Sequence, residues 1–375
     1  MNQNSVKFQR ITSNPLIEEK DIDAFLLKKP ENISYILGFP VESEILVLIA
    51  GAKPELLENS IIILSNPLEY DKIKDNIISN NFLKNNTTII EVPGINSNFT
   101  IEYLNNLGLK TLGFEEDFIS VKKYKEWKQN LSISKFIPAS EILIEARMIK
   151  TEEEIKKIEK AAKLGDIGFK AIMNNIKIGI SEKELAAIAE YEMRKSGSDG
   201  TSFDTIIASG INSSYPHATT SEKKLKDGDL VIIDIGAKFD CYCSDMSRSF
   251  IFGKKSQDKM RLINLVTEAL EIALDNAKVG IKCCELDKKI RDFFQKKDKI
   301  WGSRFIHGLG HGVGLEIHEQ PFINSKSEIE LKKNMVITLE PGLYVPNLGG
   351  ARVEDLIVIK EKGVKILNSS EKLHY

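Results

Sequence analysis

Acidic side chains and one histidine are set in the C-terminal half of the 375-residue sequence in contexts that could bring them together. They stand at predicted strand ends or in glycine-rich segments, and they are Asp234, Asp245, His311, Glu340 and Glu354. Four carboxylates in one pocket without a cation would repel one another and take up protons. Two divalent cations would balance their formal charge and could activate water. We therefore predict a two-metal hydrolase.

The types of ligand also predict the metal. One histidine among four carboxylates makes an oxygen-rich site, which suits Mn²⁺, or Co²⁺ or Fe²⁺, better than zinc, which favours sites rich in Cys and His. Two such ions about 3.5–4 Å apart would share a bridging hydroxide as nucleophile and would polarise a carbonyl oxygen.

Histidines are concentrated in the same part of the chain. Of the five in the sequence, four are His217, His307, His311 and His318, and the fifth is His374 in the tail. His217 follows Pro216 in a turn-rich segment. His307 and His311 lie among alternating glycines, which disfavour a helix and favour an extended or looped backbone. Their even spacing would place both imidazoles on one side of that segment.

Arg352 stands two residues before Glu354, within a predicted strand at 352–359. Alternation along a strand would put the guanidinium and the carboxylate on the same face. An inward-facing arginine is costly to desolvate unless an anion meets it. A substrate carboxylate, another acid of the site, or Glu354 in a simple ion pair could each be that anion.

Composition excludes several classes of protein. The net charge is −2 and no basic block is present, so nucleic acid is not an expected partner. An apolar content of 42% is ample for a buried core, and no run is long enough for a membrane span. No secretory signal is visible, so we expect a cytoplasmic protein without membrane contact. The four cysteines lack a CxxC spacing, and we assign them no role.

The chain is expected to have two domains, 1–140 and 141–375. Short apolar runs alternate with helix-compatible stretches in the first, which predicts a small α/β domain without a nucleotide-binding loop. These runs are 22–27, 45–50, 61–64, 88–92 and 111–114.

In the second domain, the order helix, helix, strands occurs twice. Capping boxes begin helices at Thr151 and Ser181, and strands are predicted at 203–209, 230–235 and 244–250. The second copy has helices at 256–278 and 285–297 and strands at 336–339 and 352–359. A hairpin would bring Asp234 opposite Asp245, and each copy would supply two of the carboxylates.

These motifs together resemble the pita-bread metallopeptidases, and among them the Xaa-Pro enzymes prolidase and aminopeptidase P. The resemblance covers residues 151 to about 365 and rests on 231–236, 244–250, 307–314, 340–344 and 352–355. Residues 1–140 are similar to the creatinase-like N-terminal domain of that group in length and α/β rhythm. The resemblance implies an α+β fold, with a pita-bread catalytic domain preceded by a smaller α/β domain.

The resemblance also implies a role for each matching residue. Asp234, Asp245, His311, Glu340 and Glu354 match the five metal ligands, with Asp245 and Glu354 as the bridging carboxylates. Glu340 also matches the acid that transfers a proton. His217, His307 and His318 match histidines that hold the substrate and stabilise the tetrahedral intermediate. Arg352 matches the arginine of the proline-specific branch, and it would bind the substrate together with His318 and His217.

The implied reaction is hydrolysis of the bond before a proline in the second position of a peptide. A dipeptidase is the first expectation, and aminopeptidase P, which acts on longer peptides, is the alternative. Methionine aminopeptidase shares the ligands, but Arg352 and the full N-terminal domain argue against it. Non-catalytic pita-bread binding proteins lack several ligands, whereas all five are present here. A homodimer would also agree with the resemblance.

Overall fold

The computed structural model describes residues 3–373 and 375, so His374 lies outside the described residues. The chain divides into two compact units, one ending at Arg147 and the other beginning at Met148. Residues 141–147, which we expected in the second domain, continue a helix that begins at Ser140 and therefore stay with the first unit. Among the described residues, no helix is both long and apolar enough to cross a membrane.

The N-terminal unit is built from helices around one sheet. The helices are α1 (Gln3–Thr12), α2 (Pro15–Glu19), α3 (Pro30–Leu37), α4 (Pro67–Ser79), α5 (Asn81–Asn86), α6 (Asn98–Asn106), α7 (Val121–Asn130) and α8 (Ser140–Met148). The strands are β1 (Ala24–Leu27), β2 (Leu46–Ala50), β3 (Ile61–Ser65), β4 (Thr87–Glu91), β5 (Thr111–Phe114) and β6 (Lys135–Pro138). The five apolar runs predicted from the sequence all form strands.

The six strands lie in the order β4-β3-β2-β1-β5-β6, with parallel and antiparallel pairs. Asp23 precedes β1 and is only 1% exposed. Its carboxylate accepts hydrogen bonds from the backbone N–H groups of Lys110 and Thr111, at 2.7 and 2.9 Å, and from Lys53 Nζ at 2.8 Å. Burial opposes ionisation, but these donors outweigh it and lower the pKa of Asp23 below its ordinary value.

The C-terminal unit contains five helices and thirteen strands in the described part of the chain. The helices are α9 (Glu152–Asn175), α10 (Glu182–Lys195), α11 (Gln257–Asn276), α12 (Cys283–Lys297) and α13 (Lys299–Gly302). The strands are β7 (Gly200–Thr201), β8 (Ile206–Ser209), β9 (Leu230–Asp234), β10 (Ala237–Phe239), β11 (Tyr242–Cys243), β12 (Ser247–Ile251), β13 (Gly310–Gly312), β14 (Glu319–Ile323), β15 (Val336–Leu339), β16 (Gly342–Val345), β17 (Gly349–Arg352), β18 (Asp355–Ile359) and β19 (Val364–Ile366).

Local signals in the sequence begin both helices of the first copy. At α9, Glu154 N donates to Thr151 Oγ1 while the Glu154 carboxylate accepts from Thr151 N. Ser181 and Glu184 form the same reciprocal pair at α10. Each capping box satisfies backbone N–H groups that the first helical turn would otherwise leave unbonded. Both predicted capping boxes are confirmed.

The predicted repeat is confirmed by a shared hydrogen-bond pattern. Gly179 precedes α10 with φ +82° and donates to Leu225 O, while Gly280 precedes α12 with φ +88° and donates to Leu331 O. In each copy the leucine donates back to the residue after the glycine. A left-handed backbone favours glycine, and the same turn at both places leads the chain into the second helix.

Three predicted strands differ from those observed. The strand expected at 203–209 begins only at Ile206. The strand expected at 352–359 is broken, because Val353 and Glu354 lie between β17 and β18 and bond to other segments: Val353 N to Pro341 O, and Glu354 N to Ser247 O. The strand expected at 244–250 begins only at Ser247, because Ser244 N bonds to Ala237 O instead.

Candidate metal centre

The first two acids come from one antiparallel pair. Strands β9 and β12 are paired with Ser247 opposite Asp234, and Asp245 stands two residues before Ser247. The predicted antiparallel pairing is present, but β10 and β11 lie between the two strands along the chain, and Ser247, not Asp245, is directly opposite Asp234. Apolar residues of β9 are buried against α9 and α10, which fixes the strand while Asp234 remains at its end. Asp234 and Asp245 are 8% and 5% exposed.

The histidine and the third acid come from the sheet of the second copy. His311 lies in β13, where its backbone N–H donates to Thr338 Oγ1 at 3.1 Å. Glu340 follows β15, and its N–H donates to Leu309 O at 2.7 Å. A Cβ at Gly310 would lie 2.0 Å from Thr338 O. Glycine at that position therefore allows the two backbones to approach closely enough to place His311 beside Glu340.

The fourth acid and the arginine are linked through Ser247. Its Oγ donates to Glu354 Oε2 at 2.8 Å and accepts from Arg352 Nε at 2.9 Å. Arg352 Nη1 donates to Tyr344 Oη at 2.7 Å, and Nη2 donates to Asp234 Oδ2. Of the partners considered for Arg352, the structure favours another acid of the site. A simple Arg352–Glu354 pair is not the arrangement observed.

A cavity of about 670 Å³ brings the predicted site residues together. Its lining includes all nine of them: His217, Asp234, Asp245, His307, His311, His318, Glu340, Arg352 and Glu354. They come from segments of both copies of the helix, helix, strands unit. The convergence needed for shared chemistry is therefore present.

Three of these groups are close enough to share one ion. Ligand atoms of Asp245, His311 and Glu354 all lie within 4.8 Å of one another. His311 Nδ1 is 3.1 Å from Gly312 O, so we place its proton there and leave the lone pair on Nε2. That Nε2 is 3.6 Å from carboxylate oxygens of both Asp245 and Glu340. A lone pair facing two carboxylates at this distance is an arrangement that a cation would satisfy.

The acids disturb one another's ionisation. Burial raises the pKa of Asp245 well above its usual range, and the charge of Glu354 is the next largest cause. Burial also raises the pKa of Glu354 well above its usual range, and the charge of Glu340 is the next largest cause. The pKa of Glu340 rises to about 7 through burial and Asp234, although Arg352 opposes the shift. Asp234 Oδ1 is buried without a hydrogen-bond partner among the described residues. Carboxylate oxygens such as these are the ligand atoms that hard divalent cations prefer.

Burial favours the neutral form of three of the histidines. Burial lowers the pKa of His307 and of His311 to about 4, and it lowers that of His318 as well. His307 Nδ1 faces Gly308 O at 2.7 Å, so its Nε2 is free to accept from Tyr344 Oη at 3.1 Å. The ring of His318 is 4.3 Å from that of His311. Neutral imidazoles can bind metal or donate to a polar substrate group without adding charge.

Comparison with known proteins gives the family. Residues 156–361 match metallopeptidase family M24, and residues 13–149 match the creatinase/prolidase N-terminal domain. The chain belongs to metallopeptidase family M24. The α+β fold and the two-domain arrangement implied by the sequence resemblance are thereby confirmed, and the protein is a metallopeptidase that uses divalent metal.

Individual members of family M24 resemble the chain over almost its whole length. A Xaa-Pro dipeptidase of Pyrococcus furiosus is 35% identical and is matched over 95% of this chain and 96% of the relative. The structure of a Xaa-Pro dipeptidase from Bacillus anthracis has a TM-score of 0.90 at 32% identity, with 99% of each chain covered. An X-Pro aminopeptidase from Thermotoga maritima has a TM-score of 0.83 at 33% identity, covering 96% of this chain and 99% of the other.

Sequence reasoning missed two polar residues at this M24 site. Tyr344 links Arg352 to His307, and Ser247 links Arg352 to Glu354. Both stand in segments that we singled out, but we gave neither a role. The available signal was alternation along the predicted strand at 244–250, which places Ser247 on the same face as Asp245. No comparable signal pointed to Tyr344.

Proposed function

We propose that the protein is a metal-dependent Xaa-Pro dipeptidase, which hydrolyses the peptide bond before a C-terminal proline. The observation that carries the proposal is that four acids, His311 and Arg352 line a single cavity. Relatives named Xaa-Pro dipeptidase, similar over nearly the full chain, support the same substrate. Aminopeptidase P activity on longer peptides is the second candidate, supported by the similarity to the Thermotoga maritima enzyme.

We propose that two divalent cations, Mn²⁺ in the first place, are held by Asp234, Asp245, His311, Glu340 and Glu354. The chemistry that such cations supply when bound is activation of water and polarisation of the substrate carbonyl. Ser247 donates to Glu354, and Gly312 O accepts from His311, so each of these ligands is oriented by a neighbour. The oxygen-rich donor set supports Mn²⁺, Co²⁺ or Fe²⁺ over zinc.

The remaining side chains would bind the substrate and move protons. Glu340 would accept the proton of the attacking water and deliver it to the leaving proline nitrogen. His217, His307 and His318 would hold the substrate. His217 and His318 would donate to the oxygen that becomes negative in the transition state, whereas the one proton of His307 faces Gly308 O. An Xaa-Pro bond has no N–H, so the cavity can admit it without providing an acceptor for that group.

Arg352 would recognise the proline carboxylate. It is the single Lys or Arg side chain among the described residues that line the cavity. A free carboxylate would be a strong partner for a buried guanidinium, and His318 could add a hydrogen bond. This requirement favours dipeptides, in which proline carries the free carboxylate.

We extend the proposal to a cytoplasmic location and to a homodimer, which light scattering would detect.

Turnover of matched substrates tests the function. We would remove metal with a chelator, reload with Mn²⁺, Co²⁺ or Zn²⁺, count ions by elemental analysis, and assay Ala-Pro, Ala-Pro-Ala and Ala-Ala. We expect two ions per chain and cleavage of Ala-Pro above Ala-Pro-Ala, with Ala-Ala resistant. Cleavage of the tripeptide above the dipeptide would favour aminopeptidase P. Full activity after verified metal removal would refute the proposal.

A further inference from the structure

A buried carboxylate outside the cavity lining ties one loop of the site together. Glu182 is the first residue of α10 and its side chain is completely buried. It accepts five hydrogen bonds: from Ser209 N and Oγ on Oε1, at 2.8 and 2.7 Å, and from Asn212 Nδ2, Ser221 N and Ser221 Oγ on Oε2, at 3.0, 3.0 and 2.7 Å. All the donors are neutral groups, and they meet both carboxylate oxygens.

The donors belong to the two ends of a single loop. Ser209 is the last residue of β8, and Ser221 follows after the loop returns. One side chain therefore closes the segment 209–221 at its base. Thr220 adds a second tie, because its Oγ1 accepts from Ile207 N at 2.9 Å and donates to Thr205 O at 2.7 Å.

This loop carries His217 to the cavity. His217 is exposed and belongs to the lining, as do its neighbours Pro216 and Ala218. The far side of the loop rests on the second copy, where Gly350 N donates to Ser213 Oγ at 3.0 Å. Arg352 Nη1 also donates to Pro216 O, at 3.4 Å. The position of His217 is thus set by the closed base of the loop and by these backbone contacts, and not by burial of the imidazole, which is exposed.

We propose that Glu182 is a positioning residue that holds His217 at the substrate cavity. The inference rests on the proposed function, in which His217 contacts the substrate. Glu182 would act only through the loop, so its loss would affect turnover while leaving the metal ligands and their ions in place.

The chemistry of the contacts requires a carboxylate. Hydrogen-bond donors face both oxygens of Glu182, and the backbone N–H of Ser221 can donate but cannot accept. In a glutamine at position 182, the NH₂ group would take the place of one carboxylate oxygen and would face hydrogen-bond donors. The hydrogen bonds that this oxygen accepts would then be lost. Glu182→Gln keeps the shape of the side chain and removes that acceptor, so it loosens one end of the loop.

A double-mutant cycle tests the inference. We would measure kcat and KM for Ala-Pro in Glu182→Gln, His217→Ala and the double variant, with metal content and thermal unfolding for each. Glu184→Gln is the matched control, because Glu184 caps the same helix and its carboxylate bonds to Ser181. Hydrogen exchange of residues 210–220 gives a readout that does not need activity.

We expect Glu182→Gln to lower kcat/KM by between about 10- and 100-fold with two ions retained, as a misplaced site group would. We expect no further loss when His217 is already alanine. Exchange in 210–220 should rise about tenfold in Glu182→Gln and stay unchanged in Glu184→Gln. If Glu182→Gln does not fold, Ser221→Ala, which removes one donor, takes its place in the cycle with a smaller expected loss.

Losses that simply add in the double variant, or unchanged exchange in 210–220, would overturn the inference. Loss of metal in Glu182→Gln would also overturn it, because the effect would then reach the ligands. If the wild-type protein cleaves no Xaa-Pro peptide, the proposed function fails, and hydrogen exchange still decides whether Glu182 holds the loop.

Discussion

Two aspartates, one in each unit, are buried to nearly the same degree but differ in their surroundings. Asp23 is 1% exposed and Asp245 is 5% exposed. Backbone N–H groups and Lys53 surround Asp23 and lower its pKa, whereas burial and nearby carboxylates raise that of Asp245. The cost of burying a carboxylate is met by hydrogen-bond donors in one case, and in the other it would be met by the proposed cation.

The contrast separates structural acids from acids that serve chemistry. Glu182 belongs with Asp23, because its oxygens meet only donors. Asp245 and Glu354 belong together, because burial and then the charges of acidic neighbours raise the pKa of each. A buried acid crowded by other acids is therefore the better indicator of a metal site, and burial alone is a poor one.

The largest effect is expected from Asp245→Asn. Loss of a group that hydrogen-bonds to a metal ligand lowers activity by roughly 10- to 100-fold. Loss of a proposed bridging ligand itself should reduce kcat/KM by more than that. Metal content should fall in the same variant. In protein stripped by a chelator, the substitution should instead raise the melting temperature, because it removes one of several like charges. Kinetics, elemental analysis and thermal unfolding measure the three effects.

Asp23→Asn is the matched control for that substitution. It should leave metal content and kcat/KM unchanged, since Asp23 lies in the N-terminal unit with its own hydrogen-bond partners. Unchanged turnover and two retained ions in Asp245→Asn would contradict the assigned role of Asp245.

The second effect is expected from Arg352→Lys. Lysine keeps the charge but cannot reproduce the contacts of the guanidinium with Asp234, Tyr344 and Ser247. We expect a loss of about 10²-fold in kcat/KM for Ala-Pro, with metal content unchanged, because the proline carboxylate loses its oriented partner. Loss of the ions would show instead that Arg352 mainly orders Asp234.

The smallest effect is expected from Asp23→Asn on stability. The substitution weakens acceptors for Lys110, Thr111 and Lys53 and should cost about 1–3 kcal/mol at pH 7. Because the pKa of Asp23 is lowered in the folded protein, its contribution is present above the unfolded value and is lost as pH falls, from about pH 5 downward. Urea unfolding at several pH values should therefore show the difference between variant and wild type shrinking in acid. A difference that grows in acid would contradict this account.

Local signals in the sequence predicted several elements of both units well. The capping boxes at Thr151 and Ser181 specify the starts of α9 and α10, and short apolar runs specify the strands of the N-terminal sheet. These features depend on neighbouring residues, so they are visible in one sequence. The motif resemblance supplied the residues that the cavity lining contains, and their roles stay predictions.

Contacts between distant segments were not visible in the sequence. The break after Arg352 arises because Glu354 N bonds to Ser247 O, which an alternating pattern at 352–359 does not reveal. The links from Arg352 to Tyr344 and Asp234 likewise depend on how three strands meet. Glu182 drew no interpretation from the sequence, because only the folded loop shows what its carboxylate binds.

The connection between Ser247 and Glu354 spans 107 positions of the chain. A nascent polypeptide that has not yet released Glu354 from the ribosome lacks one side of the cavity, even after the N-terminal unit has folded. Metal uptake should therefore be a late, post-synthetic event. Translation that stalls before Glu354 would leave Asp234 and Asp245 without the acid that Ser247 holds beside them.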